Sequence, residues 1–119
     1  DLFYDSGVAS ALQNQPVAAI EFFERVLELD PDHAKARENL AGMLASAERF
    51  DEAAALYRRA IESSPADVEL RILLARSLAG GGRLDEARAE LRALLAAAPG
   101  HPAATEFLRG LEPELTELN

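Results

Sequence analysis

Apolar positions between residues 34 and 67 fall into two stripes. Ala36, Leu40, Met43, Leu44 and Ala47 recur every three or four residues, which places them on one face of a helix. The pattern breaks from Ser46 to Phe50. A second stripe then runs through Ala53, Leu56, Tyr57, Ala60 and Ile61. Asp51 and Glu52 open it, where acids suit a helix N-terminus through capping and the helix dipole. Asp85 and Glu86 repeat the device, and Pro16 does the analogous job earlier, since proline fits a first helical turn. The whole chain reads this way, with predicted helices at roughly 2–13, 16–29, 34–46, 51–63, 68–79, 85–97 and 103–112. No stretch alternates with the period of a strand.

The stripes repeat. Residues 49–65 (RFDEAAALYRRAIESSP) and 83–99 (RLDEARAELRALLAAAP) agree at seven of seventeen positions, 34 residues apart. Pro31, Pro65 and Pro99 share this interval, as do Ala19, Ala53 and Ala87. A large residue follows each alanine by four (Phe23, Tyr57, Leu91) and a smaller apolar one follows three later (Val26, Ala60, Leu94). Gly7, Ala41 and Ala75 form another column. Small residues let two antiparallel helices approach closely where they cross, and the large ones then fill the space toward the next unit. Each second helix is expected to end before its proline, because the residue ahead of a proline is pushed out of the helical region. Asp32 and Asp67 are then placed to cap the following helix. One such helix pair cannot bury its face alone, so the units must stack.

This pattern resembles the tetratricopeptide repeat family. Phe3, Gly7, Ala19, Phe23 and Pro31 match its motif in a first unit, Leu40, Ala41, Ala53, Tyr57, Ala60 and Pro65 in a second, and Leu74, Ala75, Ala87 and Pro99 in a third. Leu91 and Leu94 depart from the aromatic residue and the alanine usual there. The resemblance implies an all-α, right-handed α-solenoid: a single domain of three helix-turn-helix units at 1–33, 34–67 and 68–101, with a C-terminal capping helix and tail at 102–119. Arg109 stands in the small-residue column of a fourth unit, which suits a helix with no partner packed on it, and Pro113 is expected to stop that helix. The chain begins with Asp1 at a unit boundary, which predicts a fragment of a longer protein with targeting signals removed.

Composition narrows the function. The chain has 119 residues and no cysteine, so disulfides, thiolate zinc sites and cysteine nucleophiles are excluded. Alanine and leucine dominate, and eleven of the twelve bases are arginine, a composition that also hints at a bacterial source. No apolar run is long enough to cross a bilayer, so no membrane insertion is expected. The net charge of −9 argues against nucleic acid as a partner. Residues 1–33 carry −6 of it, and residues 68–101 carry +1. A cytoplasmic location is favoured.

Catalysis finds no support, and no cofactor or metal is expected. His33 and His101 stand two periods apart, too distant to share a metal, and read as loop residues. Gly80, Gly81 and Gly82 lack the spacing and lysine of a phosphate loop and read as a flexible turn. The acids lie on solvated helix faces beside arginines. What remains is binding. In the family, the first helices of successive units line a concave groove. The resemblance places Tyr4, Val8, Leu12, Lys35, Asn39, Ile72, Leu73, Arg76 and Phe107 in it as candidate partner-binding residues. A subset of the family clamps a C-terminal carboxylate at positions matching Tyr4, Val8, Asn39, Glu69 and Leu73. Only Asn39 agrees, so such a clamp is not expected here. An apolar floor with a few polar groups suits an amphipathic helix or an extended peptide. The chain thus reads as a non-enzymatic protein–protein interaction module. The alternatives are a self-assembling scaffold (a homo-oligomer) joined through apolar surface near Phe3, Val8 and Phe22, or an accessory region of a larger bacterial enzyme.

Overall fold

The pre-proline residues set the length of every second helix. Asp30, Ser64 and Ala98 precede Pro31, Pro65 and Pro99, and all three leave the helical region in the same way, with φ/ψ of −142/87, −138/69 and −135/74°. In the computed structural model, which describes residues 1–112, seven helices result: α1 (Leu2–Leu12), α2 (Pro16–Leu29), α3 (Ala34–Ser46), α4 (Phe50–Ser63), α5 (Val68–Gly80), α6 (Leu84–Ala97) and α7 (Pro102–Gly110). There is no strand among the described residues. The helices pack in chain order into an elongated solenoid of 53 × 26 × 20 Å. The last helix is shorter than its pattern predicts. It ends at Gly110, with Leu111 as C-cap; Pro113, expected to stop it, lies outside the described residues.

The caps differ from the expected ones. His33 Nδ1 accepts from the Ala36 amide at 3.0 Å and His101 Nδ1 from the Ala104 amide at 3.2 Å. Asp67 Oδ1 accepts from Leu70 at 3.3 Å in the same column. So Asp67 caps as predicted, whereas His33, not Asp32, caps α3. Asp32 instead turns its own amide onto Asp30. Neither α4 nor α6 has a side-chain cap. Asp51, Glu52, Asp85 and Glu86 thus act through the dipole of their first turns, without capping bonds.

The turns inside each unit are also periodic. Asn14, Glu48 and Gly82 have φ of 56, 61 and 82°, three left-handed residues at one interval of 34. Only Gly82 of the three glycines is there for its backbone. Gly80 and Gly81 are packing residues: a Cβ on Gly80 would come within 2.6 Å of the Phe50 ring, and one on Gly81 within 3.2 Å of Phe50 Cβ. The flexible turn expected from three glycines is therefore a close approach of α5 to α4.

The repeat columns make the core. Ala19, Ala53 and Ala87 are fully buried, as are Ala41, Ala75, Phe23 and Leu91, and Tyr57 is 4% exposed. A Cβ on Gly7 would lie 2.7 Å from Phe23, so glycine there is what lets α1 and α2 cross. Ile72, Ala75, Leu91, Leu94 and Ala104 form a second cluster where α7 meets α5 and α6. A further periodic device joins the units. Arg37 and Arg71 each reach back six residues to donate to the carbonyls of Pro31 and Pro65, at 2.8 and 3.0 Å.

Candidate functional site

The first helices of the units, α1, α3, α5 and α7, meet along one side, and three depressions lie in the seams between them. The α1/α3 depression holds about 180 Å³ and is lined by Val8, Ala11, Leu12, Asn39 and Met43, with Phe23 of α2 below. The α3/α5 depression holds about 210 Å³ between Gly42, Ala45, Leu73, Arg76 and Ser77, with Phe50 and Tyr57 of α4. The α5/α7 depression is a wider opening of about 410 Å³ formed by Ile72, Arg76, Ala103, Glu106 and Phe107. The first two fall below the roughly 300–1,000 Å³ typical of small-molecule sites. They are of a size for single side chains.

Seven of the nine candidate residues fall in these seams: Val8, Leu12 and Asn39 in the first, Leu73 and Arg76 in the second, Ile72 and Phe107 (with Arg76 again) in the third. Their availability differs. Leu12 is 83% exposed, while Ile72 is only 2% exposed and belongs mostly to the core cluster under α7. Tyr4 is in none of the three. Its ring packs on His33 at 4.9 Å and on Phe23 at 5.9 Å, and its hydroxyl accepts from Asn39 Nδ2 at 3.1 Å. Lys35 is exposed at the start of α3 and lines no depression.

Sequence reasoning missed two groups. Tyr57 reads as a space filler, yet its hydroxyl lies 3.8 Å from where a Cβ on Gly42 would stand, so it faces the α3/α5 depression. Burial, and next to it the charge of Glu38, raises the phenol above its usual value, which keeps it a hydrogen-bond donor. Ser77, 3% exposed, is the other hydroxyl in that seam. The signal available was Gly42 itself, a glycine inside a helix with no backbone need for one.

Elsewhere several charges are paired at the surface. Arg49 and Glu52 share two hydrogen bonds, at 2.8 and 2.9 Å, which raise the guanidinium and lower the carboxyl from their usual values. Arg58 and Arg83 both reach Glu86 from different sides, at 3.2 and 3.7 Å. Among the described residues no group of three His, Asp or Glu side chains is placed to hold a metal, and no helix is long and apolar enough to cross a membrane.

Tetratricopeptide repeat family models match residues 44–109 and 13–68. The chain belongs to the tetratricopeptide repeat family. Curated proteins give no match. Among solved structures, MamA from Desulfovibrio magneticus RS-1 superposes with a TM-score of 0.85 at 20% identity, over 96% of this chain and 64% of that one. The chain thus spans less than two thirds of that relative. The second tetratricopeptide domain of human RPAP3, in complex with the HSP70 peptide SGPTIEEVD, gives 0.79 at 21% identity over 92% of each chain. The Arabidopsis OM64 tetratricopeptide domain gives 0.78 at 20% identity, covering 92% of this chain and 91% of its own. At these identities the likeness is one of fold. The repeat units account for the periodic core, and the chemistry of the seams is this chain's own.

Proposed function

We propose that the protein is a non-enzymatic interaction module that holds a peptide or helix of a protein partner along its first helices. The observation that carries this reading is the row of three depressions at successive seams, α1/α3, α3/α5 and α5/α7, the first two of a size for single side chains and the third wider. A ligand crossing the seams meets them in turn, and apolar anchors at regular spacing are how an extended or helical segment is read. Peptides held by domains of the same fold, such as the RPAP3 domain with its HSP70 peptide, support the reading by analogy of fold. Replacing Leu12 and Leu73 together by Asp tests it. Leu12 is exposed and Leu73 half-buried, so helical content should survive while capture of a partner from native lysate is lost. Undiminished capture by the folded double variant refutes the groove.

A second reading, self-assembly, is favoured by the apolar surface of the first unit. Leu2, Val17 and Leu29 are 79, 68 and 63% exposed on α1 and α2, beside half-buried Phe3 and Phe22. Light scattering across a concentration series separates the two, since a chain that stays monomeric at high concentration excludes it.

A further inference from the structure

We infer that the α3/α5 depression is a carboxylate subsite that takes an internal Glu or Asp side chain of the bound peptide. The inference rests on the groove reading above and names the chemistry at its centre. Three features converge on the depression. The first is Tyr57, a residue only 4% exposed whose hydroxyl reaches the depression and stays accessible to solvent there. A ligand oxygen entering the depression takes the place of the water that meets this phenol. The second is Ser77, a residue 3% exposed that lines the same depression. The third is Arg76 at the rim. Seven arginines of this chain (Arg25, Arg49, Arg58, Arg83, Arg88, Arg92 and Arg109) sit in ion pairs. Arg37 and Arg71 are bound to backbone carbonyls. Arg59 and Arg76 have neither kind of partner among the described residues, and of these two Arg76 lines both the second and the third depressions.

Two O–H donors and a guanidinium around a pocket of about 210 Å³ match a carboxylate, which only accepts. The walls of Leu73, Ala45 and Phe50 would cover the methylenes of its stem, and Gly42 leaves the entrance open. None of this uses the five positions of the family's C-terminal carboxylate clamp except Leu73 as an apolar wall. The depression is also the middle of the three, with apolar seams on both sides. A peptide spanning all three presents a side chain there, not a chain end. Two acids lie nearby. Glu106 is held by Arg109 at 3.2 Å, whereas Glu38 is near enough for its charge to act on Tyr57. Glu38 therefore opposes an incoming carboxylate and sets the sign of one test.

Three peptides probe the subsite by amide chemical-shift titration of the full chain. Successive seams are separated by about 10 Å, roughly three residues of extended chain. The probes are acetyl-LASEASL-amide, its Gln twin acetyl-LASQASL-amide, and acetyl-LASQASL with a free carboxyl end. The Glu peptide should bind about tenfold more tightly than its Gln twin, as expected for charge-assisted bonds in a partly desolvated site. That advantage should vanish in Arg76→Gln, an exposed change that leaves the core alone, and fall in Tyr57→Phe. It should grow in Glu38→Gln. Equal binding of Glu and Gln peptides, with shifts along α1, α3 and α5, overturns the subsite and leaves the groove standing. A full Glu advantage retained in Arg76→Gln also overturns it. Tightest binding by the peptide with the free carboxyl end overturns the side-chain assignment. Absence of shifts with all three refutes the groove and the subsite together.

Discussion

The Tyr4 hydroxyl accepts a hydrogen bond from Asn39 Nδ2 at 3.1 Å, across 35 residues of sequence and from one unit to the next. Both residues belong to first helices, α1 and α3, and both are groove candidates from sequence. The bond makes them a tie between units as well as part of the surface. Tyr4→Phe should cost about 0.5–1.5 kcal/mol of stability, the net worth of such a bond. A double-mutant cycle with Asn39→Ala, read by urea unfolding, should return a coupling of the same size. Coupling near zero means that the pair is only adjacent.

Gly7 and Gly42 are both mid-helix glycines with opposite consequences. A Cβ at Gly7 would sit 2.7 Å from the buried ring of Phe23, and at Gly42 the nearest atom is the Tyr57 hydroxyl at 3.8 Å. Gly7→Ala should therefore destabilise by about 1–3 kcal/mol through overpacking. Gly42→Ala should stabilise by about 0.5–1 kcal/mol, the ordinary gain of alanine over glycine in a helix. Thermal denaturation of the two variants separates the cases by sign. Because Gly42 opens the α3/α5 depression, its replacement by Leu should also block peptide binding without unfolding the chain.

The core was legible in the sequence because a buried column must repeat where the geometry repeats. Ala19, Ala53 and Ala87 could be read as crossing points before any coordinates, and all three are fully buried. The candidate face was legible in part. Residue spacing sets which side of a helix a residue takes, but not how far a neighbouring helix covers it, so Ile72 was placed at the surface and is closed off under α7. Tyr57 was illegible as a polar feature for a related reason. Its ring belongs to α4, but its hydroxyl emerges between α3 and α5 through the gap left by Gly42, a relation among three helices that no single stripe records. His33 and His101 were read as loop residues because histidine is an uncommon cap, and only the placement of Nδ1 over a free amide shows the role.

The caps yield their own prediction. Asp67→Ala should cost about 1 kcal/mol, the usual loss of a side-chain cap. His101→Asp should keep the bond and add a favourable charge at the start of α7, so stability should hold or rise slightly. A large loss in His101→Asp would mean that the imidazole packs as well as caps.

Glu48 holds a left-handed backbone that its side chain disfavours, at the position where the next unit has Gly82. The left-handed region costs a non-glycine residue about 1–2 kcal/mol, and glycine gives back about 0.4–1 kcal/mol through the unfolded chain. Glu48→Gly should thus gain about 0.5 kcal/mol, and Gly82→Ala should lose a comparable amount. Both are measurable as shifts in the urea midpoint at constant slope.

Tyr57 ties stability to alkaline pH. Its buried phenol ionises above the usual value of 10.0 in the folded chain, first because burial disfavours the phenolate and next because Glu38 repels it. In the unfolded chain the same phenol ionises near its usual value. Between the two, the folded state binds more protons, so stability falls as pH rises. The contribution of Tyr57 is therefore fully present below about pH 10 and is lost as pH climbs through the folded value. Tyr57→Phe removes this term. The unfolding free energies of the two proteins should run parallel from pH 7 to pH 9. Above pH 10 the parent should weaken relative to Tyr57→Phe, and a constant gap up to pH 11 would show that the phenol is freely solvated.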